Sequence, residues 1–250
     1  MSTIETIDEV IDKLEDIVQN SMVNNDPAGY FASLYQKVTI RVKEGIQEGF
    51  FDDGPRMEKL DVIFAKRYID AYEAYKADQP VTISWIRAFD LAQNYWPIVL
   101  QHLLIGMNAH INLDLGVAAA EISKGKEIEE LKNDFDRING VLSSLVQEVQ
   151  NDLASIWPTF QKIVKWAKDV DDFLIDFSME LARDGAWDFA VKLSETPEEE
   201  FQNAITIRDH KVSKKSEIIS NSGWLTRIIF GIIRLFEIGT VAQKIKKLQD

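Results

Sequence analysis

The sequence predicts an all-α protein, a single-domain bundle of about eight or nine helices around a buried central helix over about residues 97–123. Three observations predict it. Apolar residues recur at helical spacing along nearly the whole chain, and no convincing period-two strand interrupts them. Only 12 glycines and 6 prolines occur in 250 residues, so breakers are few. Every break is short, without a Gly/Ser- or Pro-rich linker, which favours one domain over residues 1–250.

A first amphipathic helix covers about residues 4–20. Asp26-Pro27, a capping residue followed by proline, opens a second helix running to about Glu48. "FFDDGPRM" is a turn from which Pro55 restarts a helix to about Lys76. "DQPVTIS" is a loop in which Ser84 can cap a helix to about Tyr95. Pro97 starts the central helix, and Gly125 in "SKGKE" follows its end. A long polar helix spans about Glu127–Ser155. Trp157-Pro158 bends or restarts the chain, and helices over about 159–194, 197–219 and 223–248 complete it.

Composition narrows the function classes. Hydrophobic residues make up 46% and charged residues 28%, the balance of a folded soluble protein. The net charge of −13 argues against nucleic acid and against an anionic membrane as main partner. No cysteine is present, which removes disulfides, thiolate metal sites and thiol nucleophiles and fits a cytoplasmic protein. The acidic start "MSTIETIDEVIDKLEDIV" has no signal-peptide pattern. Leu91–Leu113 carries no charge and approaches the length of a membrane span. Its Gln, Asn, His and Pro residues fit a helix buried in protein better, so no transmembrane segment is expected.

The chemistry concentrates in "HLLIGMNAHINLDL", His102–Leu115, which holds two of the three histidines. At about 100° per residue, His102, Gly106, His110 and Asp114 share one side of the central helix, and Gln101, Asn108 and Asn112 share the opposite flank. Charges also fall on or near the apolar faces of other helices: Arg41 at an edge, Asp61 beside Phe64, Tyr68 and Tyr72, Glu180 and Asp184 beside Trp187 and Val191, and Arg208 among Phe201, Ile205 and Val212. His210 points away towards solvent. Buried charges are costly unless paired or metal-bound, so these groups are expected to converge.

Three readings of that convergence compete. His110 and Asp114, four residues apart, can reach one divalent metal, with Glu180 and Asp184 as further ligands; no H-E-x-x-H and no recurring E-x-x-H accompanies them. Alternatively His110, Asp114 and His102 serve as acid–base groups in a low-dielectric pocket, where Asn108, Asn112, Asp61, Tyr68, Arg41 and Arg208 contact a small-molecule ligand. The third reading is a satisfied structural network in a structural or interaction protein. The tyrosines are first of all core residues. No nucleotide-binding glycine loop and no G-x-S-x-G elbow occurs. The late stretch "GWLTRIIFGIIRLFEIGTVAQKIKKL" reads as a packed last helix, with a membrane-peripheral role as the lesser alternative.

The run Gly106–Leu115 resembles the signature G-x-N-A-H-I-N-x-D-L of an uncharacterised bacterial family, a domain of unknown function. "LDVIFAKRYIDAY", "SWIRAF", "ARDGAWDFA" and "RLFE" are similar to its weaker blocks, over about residues 35–240. The resemblance implies an all-helical single domain with Asn108, His110, Asn112 and Asp114 as signature positions, and it implies no activity.

Overall fold

A computed structural model describes residues 4–157, 179–220 and 224–249, and among them it places eleven α-helices and no strand. The chain is all-α. α1 (Ile7–Asn24) opens on a reciprocal cap between Thr6 and Glu9 and ends on Asn25 in the left-handed region, φ 51°. The turn sends α2 (Gly29–Gln47) back along α1. Asp53 caps α3 (Gly54–Lys76) by accepting the Arg56 N–H at 2.9 Å. α4 (Ile83–Ala92) is capped differently from the sequence expectation. The Ser84 hydroxyl takes no partner, and the Asp209 carboxylate, from a helix far along the chain, accepts the Ile83 and Ser84 N–H groups at 2.7 and 2.9 Å.

The expected central helix forms. α5 (Val99–Ala109) passes into a π-helical turn, His110–Leu115, and on into α6 (Gly116–Ile122). By length and composition these 24 residues could cross a membrane, but their most apolar stretch is 94% buried within the protein. α5 packs on α2, α4 and α9 (Glu198–Ser220). The π turn packs on α3, α8 (Met179–Ser194) and α9, and α6 packs on α3 and α8. Two glycines permit this crowding. A Cβ on Gly106 would stand 2.5 Å from the Phe31 ring, and one on Gly116 would stand 2.8 Å from the Ala186 carbonyl oxygen.

A 3₁₀ turn, Ile128–Leu131, leads into α7 (Lys132–Ile156). The last expected helix is broken in two, α10 (Trp224–Phe236) and α11 (Val241–Gln249), around Gly239 at φ +99°. Glu237 in this break accepts the Val99 N–H at 2.8 Å and the buried Lys244 ammonium at 2.7 Å, which ties the end of the chain to the start of the central helix. The residues expected to form the helix from 159, Phe173, Asp176 and Phe177 among them, lie outside the described residues up to 178.

Candidate functional site

The polar residues of the central helix divide into two flanks with different partners. Gln101, Asn108 and Asn112 are sewn to α9. Gln101 Nε2 donates to the Ile219 carbonyl at 2.9 Å, and Asn108 Nδ2 donates to the Val212 carbonyl and the Ser216 hydroxyl. Asn112 Nδ2 donates to Asn108 Oδ1 at 3.1 Å. Arg208 completes this seam from α9, with Nε on the Asn112 carbonyl at 2.8 Å and Nη2 on the Gly185 carbonyl at 3.0 Å. These buried amides have their partners inside the protein, which fits helix lacing better than ligand contact.

The other flank carries His110 and Asp114 towards α2, α3 and α4. Asp114 is fully buried. Its Oδ1 accepts from Arg67 Nε at 2.8 Å, and its Oδ2 accepts from Trp85 Nε1 at 2.8 Å and faces His110 Nδ1 at 3.2 Å. Burial alone would raise the Asp114 carboxyl. The Arg67 guanidinium, His110 and Trp85 together outweigh burial and hold it below the ordinary carboxylate range. Burial has the larger effect on His110 and pushes the imidazole below its usual value, against the pull of Asp114. Near neutral pH the pair is therefore a carboxylate and a neutral imidazole. An ionised carboxylate only accepts, so Nδ1 carries the proton and Nε2 keeps its lone pair. The ring is held rigidly, stacked on Phe64 at 3.6 Å with 8° between planes and met edge-on by Tyr35 at 4.4 Å.

Nε2 is buried and has no hydrogen-bond partner, and the same is true of Asp61 Oδ2 on α3 and of the Tyr35 hydroxyl on α2. All three residues line one cavity of about 70 Å³, whose other walls include Phe31, Phe64, Met57, Met107 and Leu115. Burial, then the neighbouring Glu58, pushes the Asp61 carboxyl up to about 8, so it is mostly protonated at pH 7. The chamber wall is thus almost wholly apolar, with His110, Asp61 and Tyr35 among its lining residues and their unpartnered polar atoms buried.

Several sequence expectations need correcting. Arg41 does not reach the interior; it is half-exposed and pairs with Glu44 at 2.9 Å. Asp184 is exposed, and the Glu180 side chain lies outside the described residues. Asp184 supplies no ligand beside His110, Asp114 is already taken by Arg67 and Trp85, and among the described residues no three His, Asp or Glu side chains form a metal-binding group. His102 sits two turns from His110, tilted against Tyr30 at 5.5 Å, and burial and then Arg234 push it down to about 3. The Tyr68 ring abuts Phe31, Trp85 and His110, but Tyr68 does not line the chamber; it lines a second, smaller cavity beside His102 and Gly106, and its buried hydroxyl has no partner. Sequence reasoning missed Arg67, Trp85 and Tyr35, and took Phe64 only as a neighbour of Asp61 on an apolar face. Arg67 lies one residue from Lys66 and reads as solvated surface, and the aromatics read as generic core.

What these features define is an all-helical protein built around a buried, π-bulged helix that holds an Asp–His pair against a small apolar chamber. The chain matches the family of unknown function DUF5995 over residues 7–222, and it belongs to that family. Comparisons with curated proteins and with solved structures return no match. The match takes in the central helix and ends just before α10, so the "RLFE" block lies beyond it.

Proposed function

We propose that this protein, acting as a single helical domain, binds a small neutral molecule in the chamber beside His110, and that the Asp114–His110 pair can accept a proton from it. The observation that carries the reading is that His110 and Asp61, whose Nε2 and Oδ2 atoms are buried and unpartnered, both line one apolar cavity. An orphaned buried polar atom costs roughly 1–3 kcal/mol, and a ligand with one donor and one acceptor removes that cost twice over. The Nδ1–H to carboxylate bond fixes the tautomer that leaves Nε2 basic, the arrangement used by histidine bases generally. On the scale of cavities that hold benzene at about 150 Å³, this chamber admits about three heavy atoms. Met57 and Met107 in its wall can re-pack around a somewhat larger guest. A primary amide, alcohol or neutral acid on a short hydrocarbon body has the required chemistry.

The test is saturation-transfer NMR with acetamide, ethanol and 2-propanol against wild type, Asp61→Leu and His110→Phe. Wild type should give ligand signals that both variants lose while keeping their helical circular dichroism. Equal signals from all three proteins, or none from wild type, would remove the reading. A second reading, a purely structural network, has the paired Arg67–Asp114–Trp85 core in its favour. It leaves the orphaned atoms of His110, Asp61 and Tyr35 without explanation.

A further inference from the structure

α10 buries Phe230 and Ile233 and turns its other face outward. Trp224, Ile228, Ile232 and Leu235 form a stripe at helical spacing, with Trp224 71% and Leu235 70% exposed, and Phe236 and Ile238 continue it. Tyr95 and Trp96, on the loop after α4, are exposed beside this helix. Arg234 fixes Tyr95 there. Its Nε donates to the Tyr95 carbonyl at 2.7 Å, and its guanidinium lies over the Tyr95 ring at 4.6 Å. Trp96, Trp224, Arg227 and Ile228 line one shallow groove. A contiguous exposed ridge of this kind marks an interaction surface.

Charge selects the occupant. Among residues 224–249, Lys244 is buried against Glu237 and Arg234 pairs with the same carboxylate, which leaves Arg227, Lys246 and Lys247 as the basic side chains without a carboxylate partner there, in a chain whose net charge is −13. Arg227 and Lys246 are exposed. A second copy would bring the same cationic end and the same net negative body to the contact. An anionic lipid surface complements the end and orients the rest of the molecule away. Indole and phenol side chains around an aliphatic stripe suit the headgroup boundary of a bilayer.

We propose that α10 is an interfacial helix that lays Trp224, Ile228, Ile232 and Leu235 into the surface of an anionic phospholipid bilayer, with Trp96 and Tyr95 at headgroup level. The full chain is sedimented with vesicles of phosphatidylcholine alone and of phosphatidylcholine with phosphatidylglycerol. Binding is expected to the mixed vesicles, with a blue shift in tryptophan emission. Ile228→Asp combined with Leu235→Asp should weaken it more than about tenfold, because two apolar insertions are lost. Both positions face solvent, so helical content and melting should stay at wild-type values. Failure to sediment with either vesicle overturns the proposal. So does a double variant that binds like wild type. A concentration-dependent dimer abolished by the same two substitutions, without vesicle binding, assigns the face to a second copy instead.

Discussion

Asp61→Asn should stabilise the protein, and by an amount that grows with pH. Asp61 titrates at about 8 in the fold and near its ordinary 3.8 in the unfolded chain. Between those values the folded state keeps a proton that the unfolded state has released. Wild-type stability therefore falls by about 1.4 kcal/mol per pH unit as pH rises, and levels off once pH passes the folded value. Asparagine is nearly isosteric and cannot ionise, so it escapes this loss. The gain reaches roughly 4 kcal/mol at pH 7 from the separation of the two values, reduced by whatever the amide itself leaves unpaired. Because that offset is independent of pH, the slope is the diagnostic quantity. Urea unfolding of both proteins at several pH values between about 5.5 and 9 measures it. A stability difference that stays constant across this range would mean that the carboxylate is accommodated in the fold, and the neutral acid in the chamber wall would have to be given up.

Two further substitutions address the packing that supports the chamber. Arg67→Met removes the guanidinium from a fully buried carboxylate and should cost about 3–5 kcal/mol in the same unfolding experiment. A loss below about 1 kcal/mol would show that the pair behaves as a surface contact. Gly106→Ala forces a methyl group into the Phe31 ring and should cost about 1–3 kcal/mol, read as a lowered melting temperature. An unchanged melting temperature would mean that α5 and α2 are not so closely apposed.

Much of the fold was legible because its signals are local. Helical spacing, Pro55, and the charge-free stretch from Leu91 place most helices and identify the one that is buried. The adjacency of His110 and Asp114 follows from a four-residue interval on any helix, and Asp61 stands out as a carboxylate among aromatics. What was not legible depends on tertiary partners. Asp209 caps α4 and Glu237 caps α5 from well over a hundred residues away, and nothing in either local sequence announces it. Arg41 shows the limit of helical-wheel phase. A few tens of degrees separate the edge of an apolar face from solvent, and a long side chain at that edge turns outward to Glu44. Asp184 fails for the same reason, exposed beside the buried Trp187. Arg67 fails in the opposite sense, since its stem crosses the apolar boundary to reach Asp114.

The neighbourhood of His110 makes an imidazole an expensive choice unless it has a task. Its ring stacks on Phe64 and meets Tyr35, Phe31, Tyr68 and Trp85. A phenyl ring would satisfy such an environment without placing an unpartnered lone pair in it. Nor is the imidazole required to neutralise Asp114, which already has the Arg67 guanidinium and the Trp85 N–H. The backbone departs from α-geometry at the same place: the π turn begins at His110 and ends one residue after Asp114. Single π turns inside α-helices occur often at functional sites, because they give up regular hydrogen bonding to re-aim side chains. Here Arg208 takes the Asn112 carbonyl within that turn, so the irregularity is supported from α9 while the opposite side faces the chamber. An orphaned imidazole nitrogen, a neutral buried carboxyl and a bulged helix at one point each carry an energetic cost. The ligand proposed for the chamber would hydrogen-bond Nε2 and Asp61 together and so account for their coincidence.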